Sequence, residues 1–179
     1  LAARSRYSAL GGKLTPLPFT EKETDWVADV FSENGVPSIQ LDSVQATEAN
    51  VRDQSPERRV VHLACHGLAD RSYGNFYGAL ALTPGGDKNP TNDGFLTLSE
   101  IYDLDLRGNE LTILSACETN IGPEQRGEGV WALSRGFIVA GARRVVASDW
   151  LVDDEEAASL IGRFCGNLAR AEKEKRPVD

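Results

Sequence analysis

The segment from residue 110 to 119, Glu-Leu-Thr-Ile-Leu-Ser-Ala-Cys-Glu-Thr, constrains the fold more strongly than any other part of the sequence. Its apolar positions, Leu111, Ile113 and Leu114, form a short run of the kind found in buried parallel strands. Two small residues follow this run, and the next residue is Cys117. Because ligands bind beyond the carboxyl ends of strands in open α/β sheets, the pattern predicts a thiol at a ligand-binding edge.

A second segment of the chain has the same arrangement. Residues 59–65, Arg-Val-Val-His-Leu-Ala-Cys, have the composition of a buried strand, and His66 and Gly67 follow directly. If the two strands are parallel neighbours, their carboxyl ends lie at the same edge of the sheet. The sequence therefore predicts that His66 and Cys117 lie close together.

The composition is that of a globular protein, with 179 residues of which 41% are hydrophobic and 26% are charged, and we interpret it as a single domain. The net charge of −8 would repel phosphate backbones and anionic lipids, which disfavours direct binding to nucleic acid or to membranes. No segment approaches the ~20 apolar residues of a membrane span, and the first residues lack a secretory apolar region. Three scattered cysteines argue against a disulfide framework, so we expect a cytoplasmic protein.

Hydrophobic periodicity predicts alternating helices and strands. A first helix begins at a capping box formed by Thr20 and Glu23 and ends at residues 34–35. A last helix is capped by Asp153 or Asp154. Between them the sequence first predicts a strand over 38–41, a helix capped by Thr47 that ends near Asp53, and a surface hairpin over 78–82 and 94–98. It then predicts a short segment capped by Ser99, a helix with an apolar stripe at Val130, Leu133, Phe137 and Ile138, and a strand over 143–148.

The pairing of His66 with Cys117 has a chemical interpretation. A free thiol, with a pKa near ~8.5, needs a base within hydrogen-bond reach to act as a nucleophile at neutral pH, and His66 can be that base. The N–H groups of Gly67 and Cys117 can then stabilise an oxyanion. The alternative is that Cys117 is a small buried residue and His66 an ordinary turn histidine, but their matched positions at two strand ends favour catalysis.

The remaining histidine and cysteines have simpler interpretations. His62 lies four residues before His66 on the same strand face and could orient the base, although a hydrogen-bonded core histidine is the commoner situation. Cys65 points to the opposite face and Cys165 lies within a predicted helix, so we expect both in the core. A metal site is disfavoured because His62, Cys65, His66 and Cys117 lack the paired C-x-x-C spacing of zinc ligands, and we expect no cofactor.

Four motifs together resemble the CHAT domain, a family of caspase-like and separase-like cysteine proteases. They are His-Leu-Ala-Cys-His-Gly at 62–67, Leu-Ser-Ala-Cys-Glu-Thr at 114–119, Gly-Glu-Gly-Val-Trp-Ala-Leu-Ser-Arg at 127–135 and Ala-Gly-Ala-Arg-Arg-Val-Val-Ala-Ser-Asp-Trp-Leu-Val-Asp-Asp at 140–154. The resemblance extends over roughly residues 14–175, after a lead-in of residues 1–13. It implies a caspase-like three-layer α/β sandwich, with a mostly parallel central sheet flanked by helices, His66 as the base and Cys117 as the nucleophile.

The resemblance also implies partners. Tetratricopeptide repeats usually precede such a domain, and these proteins belong to bacterial defence and cell-death circuits, sometimes joined to RNA-guided complexes. No such repeat is present in this sequence, and the family's usual opening strand and closing helix are missing. We therefore expect a fragment of a longer protein, truncated at both ends. At Asp149 the family more often has an apolar residue.

Two functions of different classes remain open at this point. The first is a cysteine endopeptidase that cleaves peptide or protein substrates through an acyl-enzyme. Its basal activity would be low until an upstream sensor region orders the glycine-rich loop from Ile121 to Gly129. The alternative is a catalytically idle domain that binds protein partners. A thiol acyltransferase that uses the same pair of residues is a third, weaker hypothesis.

The stretch that begins at Ser148 and extends to residue 156 predicts the substrate preference. It follows the strand next to the nucleophile strand, so it should line a groove for an extended peptide, with Trp150 as a pocket wall. The resemblance to separase-like enzymes implies that Asp154 selects the P1 side chain, with Asp149 as the second candidate. A carboxylate there would favour Arg or Lys and repel Asp. The alternative is that Asp153 and Asp154 only cap the last helix.

Overall fold

The structure is a computed structural model that describes residues 14–70, 75, 77–86, 90–117, 119, 124–125, 129–130 and 132–176. The chain divides into two compact units. We call them the sheet unit, Leu1–Thr15 with Ser43–Leu151, and the helical unit, Pro16–Asp42 with Val152–Asp179. Two compact units can belong to one domain, because such units need not fold independently. The single domain expected over residues 14–175 therefore stays a prediction.

Helices and strands alternate along the described residues. The predicted α/β class, with a mainly parallel central sheet and flanking helices, is confirmed. The elements are α1 (Pro18–Glu33), α2 (Glu48–Gln54), β1 (Val60–Ala64), β2 (His66–Leu68), β3 (Ala79–Ala81), β4 (Phe95–Thr97), α3 (Leu98–Ile101), β5 (Leu111–Ser115), β6 (Glu124–Gln125), β7 (Gly129–Val130), α4 (Leu133–Val139), β8 (Val145–Val146) and α5 (Asp154–Lys173), with short 3₁₀ turns at Ser43–Gln45 and Pro90–Asn92.

The central sheet of the sheet unit has the strand order β1-β5-β8, and both pairings are parallel. Strand β1 pairs with β5 along its whole length, ending with Ala64 opposite Ser115. The prediction that these two strands are parallel neighbours is therefore confirmed. The strand predicted over 143–148 is present, but only Val145–Val146 pairs with β5.

One face of this sheet packs into the main apolar core, together with residues of α2, α3 and α4. Val61, Leu63 and Cys65 alternate on that face, as the two-residue period of a strand requires. Helix α4 contributes Leu133 and Phe137, which are both fully buried. Each such burial stabilises the fold by about 1.5–3 kcal/mol. The packing also fixes the register, because a shift of one residue would turn the apolar side chains to the other face.

A second sheet, which is antiparallel, begins where β1 ends and has the order β2-β3-β4. His66 pairs with Ala81, and Gly67 pairs with Leu80. The predicted hairpin is confirmed as β3 and β4, but its predicted surface location is wrong because Leu80 and Leu96 are fully buried. The hairpin is therefore the structural partner of the strand that begins at His66.

The first turns of the two short helices α2 and α3 are stabilised by threonine caps. Thr47 caps α2, as predicted, by accepting a hydrogen bond from the N–H of Asn50. The predicted cap at Ser99 is wrong. Thr97 caps α3 instead, because its side chain and that of Glu100 form a reciprocal capping box.

Helix α4 is shorter than its apolar stripe predicts. It begins at Leu133, whereas Val130 lies in strand β7, and Ile138 is 46% exposed. Gly141 follows the helix with a φ of +117°, a left-handed conformation that glycine adopts more readily than residues with a Cβ atom.

Two further predicted segments are a short strand after the first helix and the glycine-rich loop. The strand predicted over 38–41 is wrong, because these residues form no strand and Ile39 is exposed. Of the glycine-rich loop from Ile121 to Gly129, the structure describes only Glu124–Gln125 and Gly129, which contribute to a small antiparallel ribbon of β6 and β7. The rest of this loop, for which the sequence predicts ordering by a sensor region, lies outside the described residues.

The helical unit is formed by α1 and α5, which pack against each other. Helix α1 begins at Pro18 and has no side-chain cap from the residue before it, so the capping box predicted for Thr20 and Glu23 is wrong. The start of α1 is instead capped by Asp154, a residue of α5. Its carboxylate accepts hydrogen bonds from the N–H of Phe19 at 2.8 Å and from the hydroxyl of Thr20 at 3.3 Å. Glu23 is buried within α1.

Candidate active site

The carboxyl ends of β1 and β5 bring the histidine and the cysteine segments together. Pairing continues beyond β1, because the N–H of Cys65 donates a hydrogen bond to the carbonyl of Ser115 at 3.3 Å. The last register pair of the two strands is Ala64 and Ser115, so the segments that carry His66 and Cys117 leave the sheet at the same edge. Both residues are partly exposed. Each is therefore accessible at the edge where the sequence predicts a ligand.

Gly67 and Cys117 approach each other through their backbones. A Cβ atom on residue 67 would collide with the carbonyl oxygen of Cys117. It would also lie 3.1 Å from the methyl group of Thr119. Only glycine allows so close an approach, so the glycine after the histidine has a steric reason in addition to the proposed role of its N–H group.

The imidazole of His66 is held by a main-chain acceptor. Its Nε2 atom lies 2.7 Å from the carbonyl oxygen of Thr15. Since a carbonyl only accepts hydrogen bonds, Nε2 must carry the proton, and Nδ1 of the neutral ring is left as the basic nitrogen. No sequence signal points to Thr15, because the contact uses a backbone atom and any residue type supplies the same carbonyl.

Ser148, Asp149 and Trp150 follow strand β8. The hydroxyl of Ser148 donates a hydrogen bond to the carbonyl of Ala116 at 2.7 Å, directly before the cysteine. Asp149 is exposed, and Trp150 is 67% exposed. The structure thus places Ser148 against the nucleophile segment and leaves the tryptophan ring accessible to solvent.

Asp153 and Asp154 belong to the helical unit. Asp153 caps α5 by accepting hydrogen bonds from the N–H groups of Glu155 and Glu156, which agrees with the capping interpretation. Asp154 uses both carboxylate oxygens to bind the start of α1. This structural role does not test the role predicted for Asp154 in substrate selection.

The other two cysteines are core residues, as predicted. Cys65 packs against the main core of the sheet unit. Cys165 is fully buried, and this burial raises the pKa of its thiol to about 12, with a further contribution from the carboxylate of Glu23. A thiol with such a pKa is inert at neutral pH, so Cys165 is unsuited to nucleophilic chemistry.

His62 lies in β1 opposite Ile113, on the face away from Val61 and Leu63. Within the described residues, no group of three or more His, Cys, Asp or Glu side chains is arranged to hold a metal ion. None of the helices described is both long and apolar enough to cross a membrane.

Comparison with known proteins identifies the family. A sequence profile of the CHAT domain matches residues 5–178, slightly more of the chain than the range 14–175 expected from the resemblance. A search of curated proteins found no match. The family is related to the caspase-like proteases, and the observed parallel sheet with flanking helices is consistent with their fold. The match covers nearly the whole chain, and this protein belongs to the CHAT domain family.

Proposed function

We propose that this protein is a cysteine endopeptidase that uses a His66–Cys117 dyad. The observation that carries the proposal is the close approach of the histidine-glycine segment to the nucleophile segment, at which a Cβ atom on Gly67 would collide with the Cys117 carbonyl. This approach supports a base and a thiol at adjacent strand ends, the arrangement that a cysteine peptidase requires. Membership of a caspase-like family supports the same chemistry.

In the proposed reaction, Nδ1 of His66 accepts the proton from Cys117, and the thiolate sulfur attacks the scissile carbonyl carbon. The N–H groups of Gly67 and Cys117 stabilise the oxyanion. The protonated His66 then donates its proton to the leaving amine as the C–N bond breaks. Water, deprotonated by His66, hydrolyses the thioester and regenerates the thiol.

The Thr15 carbonyl supports this cycle from the other side of the ring. By accepting the Nε2 proton of His66 at 2.7 Å, it selects the tautomer that presents Nδ1 as the base. It also stabilises the imidazolium formed in the first step, because a charge-assisted hydrogen bond is stronger than a neutral one. Thr15 is therefore a positioning residue in this proposal.

A substitution of Cys117 tests the proposed function. Cys117→Ala should abolish cleavage of a fluorogenic peptide, because it removes the proposed nucleophile. His66→Ala should lower kcat strongly while Cys117 stays available for alkylation at high pH. Reaction with a peptide bearing a chloromethyl ketone, followed by mass spectrometry, should label Cys117 before Cys65 or Cys165. Cleavage by Cys117→Ala at the wild-type rate would instead favour the idle binding domain.

We further propose that the substrate is a peptide with Arg, Lys or a long unbranched residue at P1, and that Asp154 is the selector. The support is chemical: a partly buried carboxylate can form charge-assisted hydrogen bonds with a basic side chain. Both oxygens of Asp154 are engaged within the helical unit, so the proposal requires that they accept an additional donor. Trp150 would wall the pocket, and Asp149 is the second candidate selector.

A scan of P1 residues decides this second proposal. Asp154→Asn should reduce the ratio of kcat/KM for Arg over that for norleucine at P1 by about tenfold or more, as loss of a charged hydrogen bond predicts. Thr20→Val is the matched control, since it removes one hydrogen bond to Asp154 but keeps its carboxylate. A preference for Asp at P1, or the wild-type ratio in Asp154→Asn, would exclude Asp154 as the selector.

We also propose a regulatory partner, of tetratricopeptide type or part of a sensor complex, in a cytoplasmic setting of bacterial defence or cell death. Family membership supports the partner, since such repeats usually accompany the domain. The cytoplasmic setting is supported by three cysteines that are present as thiols. No direct contact with nucleic acid or membrane is proposed, given the net charge of −8.

A further inference from the structure

Thr119 is a fully buried polar residue two positions after the proposed nucleophile. Its hydroxyl donates a hydrogen bond to the carbonyl of Ala116 at 3.4 Å and accepts one from the N–H of Ser148 at 3.2 Å. Its own carbonyl accepts a hydrogen bond from the N–H of Ser134 in the first turn of α4. A buried hydroxyl without partners is costly, so these contacts explain why a threonine is stable at this position.

Ser148 binds the same carbonyl from the end of the neighbouring strand. Its hydroxyl donates to the Ala116 oxygen at 2.7 Å, so this oxygen accepts hydrogen bonds from two side chains. Strand β8 itself pairs with β5 only through Val145 and Val146. Beyond these two residues, the side chains of Ser148 and Thr119 continue the connection between the two strand ends.

The hydrogen bonds from Thr119 and Ser148 act on the peptide group between Ala116 and Cys117. Its oxygen is the one that Thr119 and Ser148 bind, and its N–H is the Cys117 amide that we assign to the oxyanion. In a planar trans peptide, the N–H points away from the carbonyl, so fixing the direction of one fixes the direction of the other. Two hydrogen bonds to the oxygen also polarise the group and make the N–H a better donor.

We propose that Thr119 and Ser148 are positioning residues that orient the Cys117 N–H toward the oxyanion. We call them, with the Ala116 carbonyl, the amide clamp. The inference rests on the proposed peptidase function and adds two residues to its machinery. The methyl group of Thr119 lies beside Gly67, which carries the second proposed donor, so one residue contacts both halves of the oxyanion site.

The amide clamp predicts an effect on the acylation step and none on thiol reactivity. Loss of a whole oxyanion donor typically lowers kcat by about 10²–10³-fold, so misorientation of one should lower it by about 10–100-fold. Alkylation of a thiolate by iodoacetamide forms no oxyanion. Its rate and its pH profile at Cys117 should therefore remain those of the wild type in variants of the clamp.

The experiment compares Thr119→Val and Ser148→Ala with the wild type, using a fluorogenic peptide with Arg at P1 and iodoacetamide as the second probe. We expect a lower kcat with little change in KM, and unchanged alkylation of Cys117. Thr119→Ser, which retains the hydroxyl, should restore most of kcat. Thr112→Val is the matched control, because it removes a buried hydroxyl that binds Asn109 near the start of β5, at the end of the strand away from Cys117.

The double variant Thr119→Val/Ser148→Ala provides a further check. Because both side chains act on one carbonyl, their effects on kcat should be less than additive in energy. Wild-type kcat in both single variants would overturn the clamp, and so would a parallel loss of alkylation and melting temperature, which marks a general structural role. Undiminished cleavage by Cys117→Ala would instead refute the peptidase itself, and with it the clamp.

Discussion

At the scale of single residues, the site depends on atoms that a sequence pattern only partly reveals. The histidine, the glycine after it and the cysteine follow from motif positions, whereas Thr15 contributes a backbone carbonyl to Nε2 of His66. Gly67 is the residue with the least freedom to change. Because its neighbour is a backbone oxygen of Cys117, no rotation of a side chain can relieve an added methyl group.

Gly67→Ala should therefore displace the nucleophile segment. We expect a loss of about 1–3 kcal/mol in the free energy of unfolding, the usual cost of overpacking, and a fall of at least tenfold in kcat/KM. Gly166→Ala is the control, since nothing lies within 4 Å of its added methyl group and alanine favours a helix. Urea unfolding and peptide cleavage measure the two effects, and wild-type turnover in Gly67→Ala would contradict the steric argument.

At the scale of elements, a buried acid anchors the hairpin that pairs with β2. Glu48, in the first turn of α2, accepts a hydrogen bond from the N–H of Gly94 at 2.5 Å, directly before β4. Its other oxygen lies 3.6 Å from Arg52, which also forms an ion pair with Glu100 at 3.0 Å. Burial raises the pKa of Glu48 above its ordinary value of 4.5, and the carboxylates of Glu100 and Asp93 add to the shift.

This shift predicts how stability depends on pH. A carboxyl group with a raised pKa binds its proton more tightly in the folded state, so stability is lost as pH rises from about 4.5 through the folded pKa of Glu48. Glu48→Gln should remove this loss, and its free energy of unfolding should fall less steeply with pH than that of the wild type.

Urea unfolding from pH 4.5 to 8 measures this slope. Asp53→Asn, an exposed carboxylate on the same helix, is the control and should retain the wild-type slope. Identical slopes in Glu48→Gln and the wild type would show that the burial of Glu48 has no effect on folding.

At the scale of the whole molecule, the proposed regulation concerns the segment before Pro16 and the glycine-rich loop. The Thr15 carbonyl accepts the Nε2 proton of His66. We propose that a partner that binds the chain before Pro16 shifts this carbonyl and so changes the orientation of the imidazole. The glycine-rich loop from Ile121 to Gly129 remains the second predicted element of control.

We expect the isolated chain to have low basal activity. A longer protein that includes the proposed tetratricopeptide-type region should gain at least tenfold in kcat when its activator binds, with a smaller change in KM, because the base is repositioned. Active-site titration with a chloromethyl ketone corrects for the fraction of competent enzyme. Equal cleavage rates for the isolated chain and the activated longer protein would exclude the switch.

The sequence alone determined the two parallel strands, the order of their motifs and the positions of His66 and Cys117 after the ends of these strands, because each of the two has a clear apolar pattern. It also identified Cys65 and Cys165 as core residues. Local signals were less reliable for helix starts. Helix α3 is capped by Thr97 and not by Ser99, and the start of α1 is bound by Asp154, which lies 134 residues from Thr20 in sequence. A cap from so distant a residue has no local signature.

Only the tertiary structure decided which polar atoms meet at the site. The contacts of the Thr15 carbonyl with His66 and of Ser148 with the Ala116 carbonyl involve backbone atoms or residues far apart in the chain. The burial of the hairpin was likewise decided by packing, because Leu80 and Leu96 have the same alternation whether their strand faces solvent or a core. Hydrophobic periodicity specifies that a face is buried, and the three-dimensional fold specifies what it is buried against.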